Sequence, residues 1–247
     1  MPVRILKALL FALTLTLSFP LAAHAKIVAI KASDGLPVTA ELTRGSNKTA
    51  IVLFHQAGSS RGEYQEIAPR LNKLGYTTLT VDQRSGGSFG GIANQTADVA
   101  KQQGKGADFL DAKPDLEAAI AFARNLEEID RVFIWGSSYS ASLVLVIAGE
   151  KTSQVDAVLS FSPGEYLRGV SVEKLAAGIT VPAFLTSARS EAGQWRGIYD
   201  AIPDGTGKTG FVPKGNGRHG SSSLIAGRSA NAEEFWAAVE AFLKERG

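Results

Sequence analysis

Residues 134–142, Ile134-Trp135-Gly136-Ser137-Ser138-Tyr139-Ser140-Ala141-Ser142 (IWGSSYSAS), decide how the rest of the chain is read. Upstream, Arg131 to Trp135 is short, apolar and β-rich, the composition of a buried strand. Downstream, Ala141 to Ala148 is an apolar run of the kind a buried helix carries. Between them sits a corner of small polar residues. A strand–Gly-x-Ser-x-small–helix corner is a nucleophile elbow: the serine takes a tight, strained turn, and bulky neighbours would clash. The hydroxyl then stands clear of the sheet, above a helix N-terminus that favours a developing anion. Ser140 occupies the place where glycine is commoner and is small enough for it. The plainer reading of Ser138 is a helix cap. The surrounding pattern favours a nucleophile.

That pattern is strand–helix alternation. Strands are expected at Lys26–Lys31, Val38–Leu42, Ala50–His55, Thr77–Asp82, Arg131–Trp135, Val155–Phe161, Val181–Ser187 and Gly210–Pro213. They are short, β-branched, and punctuated by Gly, Pro or Asp. Helices are expected at Glu63–Leu74, Asp115–Asn125, Ser138–Gly149, Glu191–Ala201 and Ala232–Glu245. Pro114 marks a helix start. Phe235, Val239, Phe242 and Leu243 recur at helical spacing, so one face of the last helix packs on a sheet. The alternation implies a three-layer α/β/α sandwich around a mostly parallel sheet. In such sheets ligands bind beyond the carboxyl ends of the strands, so the loops there carry the chemistry.

A serine nucleophile needs a base. The 247-residue chain has three histidines. His24 falls in the leader described below, and His55 ends a central strand. His219, in a glycine-rich loop after the last strand, is the candidate base. The acid is expected between serine and histidine in chain order. Glu191, just past the strand Val181–Ser187, fits. Asp200 and Asp204 are rivals, one near a helix end and the other in a Pro-Asp-Gly turn explained by turn chemistry. The oxyanion hole is expected from the backbone N–H groups of Tyr139 and of Gln56, in the small-residue loop after Ala50–His55. His55, Phe89 and Trp195 are expected to line the substrate site. The long polar segment Ser85 to Lys113 follows a strand at the ligand edge and reads as a rim or flap over it.

Phe54-His55-Gln56-Ala57-Gly58, Asp82-Gln83-Arg84, Phe109-Leu110-Asp111 through Asp115 to Ala119, Gly136 to Ser140, Pro182 to Glu191, and His219-Gly220 together resemble the α/β-hydrolase superfamily. Within it the chain is similar to the small, lidless branch of dienelactone hydrolases and related bacterial esterases. The resemblance spans nearly all of residues 26–247. It implies an α/β-hydrolase fold without a large cap and a serine-hydrolase mechanism needing no metal or organic cofactor. Dienelactone hydrolases proper carry Cys and Asp where this chain has Ser138 and Glu191.

Composition narrows the rest. Net charge is +2 and there is no cysteine. Nothing points to nucleic acid, and disulfides, thiolate metal sites and a cysteine nucleophile are excluded. The length suits one sizeable core. Arg4 and Lys7, the apolar run Ala8 to Leu21 and Ala23-His24-Ala25 form a signal-peptide pattern. The run is shorter than the ~20 residues a membrane span needs. Cleavage near Ala25, residues 26–247 as one domain, and a periplasmic or secreted enzyme without stable membrane insertion are therefore expected. The expected activity is hydrolysis of a small soluble carboxylic ester or thioester through an acyl-enzyme. An acyltransferase with the same residues, or a silent binding protein on the same fold, are the alternatives.

Overall fold

A computed structural model describes residues 25–150 and 154–246. The expected leader lies outside the described residues. The strands are β1 (Lys26–Lys31), β2 (Pro37–Thr43), β3 (Thr49–Phe54), β4 (Thr77–Val81), β5 (Ser88–Phe89), β6 (Ile92–Ala93), β7 (Arg131–Ser137), β8 (Ala157–Phe161), β9 (Ala183–Thr186) and β10 (Thr209–Phe211). The helices are α1 (Ile67–Lys73), α2 (Gln95–Gln102), α3 (Lys113–Arg124), α4 (Tyr139–Gly149), α5 (Val172–Ala176), α6 (Arg196–Ala201) and α7 (Ala232–Lys244). Eight strands form one sheet in the order β1-β2-β4-β3-β7-β8-β9-β10. β1 and β2 are antiparallel to their neighbours, and all pairs from β4 to β10 are parallel.

Side-chain alternation builds the two faces. Ile51, Leu53, Phe133 and Trp135 point to the side covered by α1 and α7, where Leu71, Phe235, Val239 and Phe242 meet them. Val52, Phe54, Val132 and Ile134 point to the side of α3 and α4, against Leu116, Leu143 and Val144. β3 is buried along its whole length, as a central strand covered on both faces must be. α4 is buried at every position from Tyr139 to Ala148, which explains why its sequence has no polar face. This three-layer arrangement is the α/β-hydrolase fold, and all eight expected core strands are present.

Three segments differ from expectation. The helix expected from Glu63 begins as a 3-10 turn, Arg61–Tyr64, before α1. The helix expected over Glu191–Ala201 is broken: a 3-10 turn at Arg189–Glu191 stands apart from α6, with Gly193 between them. Ser85 to Lys113 is no open loop. It holds the β5–β6 hairpin, whose turn uses Gly90 and Gly91 at positive φ as a tight hairpin requires, and then α2. Asn94 fixes this excursion: its Oδ1 accepts from the Ala97 N–H to cap α2, while its amide donates to the Ser59 and Gln83 carbonyls. Between β8 and β9 the sole helix is the five-residue α5.

Candidate active site

Ser138 joins β7 to α4 at φ 60°, ψ −122°, a conformation that L-residues avoid. Two residues before it the backbone leaves room for glycine alone. A Cβ on Gly136 would lie 2.3 Å from the Ser140 carbonyl oxygen. The Ser140 hydroxyl donates to the His55 carbonyl at 2.6 Å and accepts from the Gln83 amide at 2.5 Å, so serine does there what glycine could not. The turn therefore projects the Ser138 side chain beyond the sheet.

Two further loops converge on it. The Ser138 Oγ lies 2.8 Å from His219 Nε2, and Glu191 Oε1 lies 2.8 Å from His219 Nδ1. With the proton on Nδ1 donated to Glu191, Nε2 presents its lone pair to the Ser138 hydroxyl. The second oxygen of Glu191 accepts from the Ser162 hydroxyl at 2.7 Å, and Ser162 Oγ accepts the Gly220 N–H at 2.9 Å. Ser162, which follows β8, thus braces both the acid and the histidine loop, itself at φ 57°. The Glu191 hydrogen bond holds the His219 pKa above its ordinary value, against partial burial. Burial pushes the Glu191 carboxyl up, but hydrogen bonds from His219 and Ser162 outweigh it and hold the pKa below the usual range. Asp200 and Asp204 lie elsewhere; Asp204 is exposed and pairs with Lys208.

Two expectations about the loop after β3 are corrected. The Gln56 N–H donates to Glu63 Oε2 at 2.8 Å and is not free for an oxyanion. The next residue, Ala57, has an N–H with no hydrogen-bond partner among the described residues, and it takes the place of Gln56 as the candidate donor of this loop. His55 does not line the site. It is fully buried, with Nδ1–H donating to the Gln56 carbonyl at 2.8 Å and Nε2 accepting from the Gln83 N–H and the Asn94 amide. Burial pushes its pKa down to about 4, so it is a neutral clamp between two loops. Trp195 is also corrected: it is buried in the core, with its indole N–H donating to Ser187 Oγ at 2.7 Å. The Tyr139 backbone N–H stands at the start of α4, beside Ser138. Phe89 lies under the Arg228 guanidinium, at the rim of the cleft that holds His219.

Sequence reasoning missed Glu63 and Ser162. Ser60-x-x-Glu63 has the spacing of a helix capping box, which gave a local reason for that glutamate. Ser162 stands in a Ser-Pro-Gly turn and carried no signal of its own.

Two clefts lie near these residues, one holding His219 and the other bordered by Phe109, which stacks on Tyr139. One, of about 400 Å³, is lined by Gln56, Arg218, His219, Ser222, Gly227 and Arg228. The other, of about 520 Å³, is lined by Ala107 to Asp111, Tyr166 and Arg168. It connects to the elbow through Phe109, whose ring stacks on that of Tyr139 at 4.4 Å. Part of Ser85 to Lys113 is therefore a wall of this cleft, pinned rather than free. Among the described residues no helix is long and apolar enough to cross a membrane.

Comparison with known proteins places this architecture. The family described as "Serine aminopeptidase, S33" matches residues 45–192. A curated relative, the quorum-quenching protein AidA of Acinetobacter baumannii, is 33% identical over 137 residues, 53% of this chain. The match spans only 41% of that relative's length. Among solved structures, the Pyrococcus furiosus esterase Pf2001 superposes with a TM-score of 0.69 at 17% identity, covering 91% of each chain. A dienelactone hydrolase from Anabaena variabilis gives 0.63 at 17% identity, covering 87% of this chain and 98% of its own. At such identities the structures speak for the fold.

Proposed function

Since the chain belongs to the S33 serine aminopeptidase family of α/β-hydrolases, we propose that it is a serine hydrolase that cleaves small soluble carboxylic esters or thioesters through an acyl-enzyme. The observation that carries this reading is the unbroken hydrogen-bonded chain Ser138–His219–Glu191, at 2.8 Å in both links, on a strained elbow. In it Ser138 Oγ attacks the acyl carbonyl as His219 Nε2 takes its proton. Glu191 holds the imidazole in the required tautomer and stabilises the imidazolium. The N–H groups of Tyr139 and Ala57 meet the oxyanion. The tetrahedral adduct collapses as His219 returns the proton to the leaving alcohol. Water, deprotonated by the same imidazole, then releases the acid.

The substrate class follows from the walls. Only the short α5 stands between β8 and β9, where a large cap would insert, so little of a long acyl chain is covered. Each buried CH₂ contributes ~0.8 kcal/mol, and an open cleft gains few of them. The cleft beside Phe109 and Tyr166 suits a short or planar acyl group. Export belongs to the same proposal and rests on the leader pattern alone; N-terminal analysis of natively produced protein should find Lys26 first.

The test is fluorophosphonate labelling followed by a substrate panel. Label at Ser138 alone, and p-nitrophenyl acetate and butyrate cleaved faster than the palmitate ester, are expected. Label at another serine would refute the nucleophile. Faster turnover of aminoacyl anilides than of any ester would replace the esterase reading with a peptidase one.

A further inference from the structure

Glu63 has no part in the mechanism above, yet its carboxyl is fully buried against it. Its Oε2 accepts the Gln56 N–H at 2.8 Å, at the base of the loop that carries Ala57. Its Oε1 accepts the hydroxyl of Ser137, beside Ser138, at 2.7 Å. Ser137 Oγ in turn accepts the Ser221 N–H at 3.0 Å, two residues after His219. The fit is close: a Cβ on Gly220 would lie 2.3 Å from Ser137 Oγ, so no side chain could stand there. Three segments that bear the proposed oxyanion donor, nucleophile and base are thus referenced to one carboxyl group.

The donors also run one way. Among the described residues Glu63 is the acceptor within reach of the Ser137 hydroxyl, so the Ser137 proton goes to Glu63, and the Gln56 N–H can only donate. Burial pushes the Glu63 pKa up, while the hydrogen bonds that both its oxygens receive from Gln56 and Ser137 oppose that push and favour the ionised carboxylate. Burying such a group is costly, and an apolar residue of similar size would avoid the cost. Departures of this kind from good core design concentrate at functional sites.

We propose that Glu63 is a positioning residue: it sets the spacing of the loop after β3, the serine elbow and the histidine loop. The inference rests on the reading of Ser138 as nucleophile. Its charge also bears on the base. His219 is faced by Glu191 from the turn after β9, by Glu63 from the turn after β3, and by Arg218 and Arg228 across its own cleft, while Tyr166 faces Glu191. Glu63 favours the imidazolium form of His219. Neutralising it should therefore move the acid limb of the rate profile to lower pH, which loss of packing alone would not do.

The experiment compares wild type, Glu63→Ala, Glu63→Gln and Ser137→Ala. Tm, kcat, KM and the pH profile are measured with p-nitrophenyl acetate, and the rate of fluorophosphonate labelling of Ser138 is followed. Misplacement of reacting groups by about 1 Å costs on the order of 10²-fold, so Glu63→Ala should lose about that in kcat with KM changed only a few-fold. In Glu63→Gln the amide can accept from Gln56 and donate to Ser137, so the loss should be smaller, with the acid limb moved down. A lowered Tm with wild-type kcat and an unmoved acid limb overturns the proposal. If Glu63→Ala does not fold, Ser137→Ala decides, since it cuts the same link and keeps the carboxylate. A loss of kcat at an unmoved limb is then expected, and wild-type kcat overturns. Wild-type enzyme that takes no label at Ser138 refutes the underlying reading. Equal labelling rates in wild type and Glu63→Gln, with the same pH dependence, refute this one alone.

Discussion

Replacing Ser138 by glycine should leave the protein more stable than replacing it by alanine. Both changes remove the hydroxyl and its bond to His219, so their difference isolates the backbone. At φ 60°, ψ −122° a residue with a Cβ carries strain on the order of 1–3 kcal/mol, whereas glycine adopts such angles readily. Against this, glycine gives the unfolded chain extra freedom, about 0.4–1 kcal/mol. The balance is about 1 kcal/mol in favour of glycine, the reverse of the usual order of these two residues beside a helix interior. In a chain of this size 1 kcal/mol corresponds to roughly 2–4 °C in Tm. The assay is thermal unfolding of Ser138→Gly and Ser138→Ala side by side, with both expected to have lost about 10⁴-fold in kcat. An alanine variant that melts at the same temperature or higher would mean that the elbow is not strained, and the argument for Ser138 from its backbone would fail.

Three more outcomes are expected. His219 must be neutral to take the Ser138 proton, and Glu191 raises its pKa, so kcat/KM should fall on the acid side with a limb above the ordinary imidazole value of 6.5; Glu191→Gln should lower that limb and cost several powers of ten in rate. His55 is neutral when folded, with its pKa near 4, but protonates near 6.5 when unfolded. Its stabilisation is complete above 6.5 and is lost as pH falls towards 4, by up to about 3 kcal/mol, which denaturant titration of wild type against His55→Gln would detect as a shallower acid slope in the variant. The Arg84 side chain holds buried Asp115 through two contacts, Nη2–Oδ1 at 2.6 Å and Nε–Oδ2 at 3.0 Å, beside a backbone N–H bond to Oδ2 at 2.9 Å. Arg84→Met should cost about 3–5 kcal/mol by chemical denaturation, and Arg84→Met with Asp115→Leu should recover much of it.

What the sequence by itself determined was most of what depends on neighbours along the chain, the broken helix over Glu191–Ala201 being an exception. The strands are legible because alternating and fully apolar runs bounded by Gly, Pro and Asp have few other uses, and the elbow because a Gly-x-Ser-x-Ser corner between strand and helix needs small residues at fixed offsets. Scarcity did the rest for His219, the histidine left after His24 and His55 are accounted for. What only the tertiary structure decided was which atoms face which. Glu191 and His219 meet across 28 residues, Ser138 and His219 across 81, and Glu63 and Ser137 across 74. No local pattern encodes such distances, since they are set by how helices seat on the sheet. The same cause explains the corrections. His55 and Gln56 stand at the end of a central strand and Trp195 in the expected helix beyond β9, but packing turned His55 and Trp195 into the core and gave the Gln56 N–H to a carboxylate seven residues away. Glu63 and Ser162 stayed hidden because each has an ordinary local explanation, and their contacts exist only once the loops beyond β3, β7, β8 and β10 share one edge of the sheet.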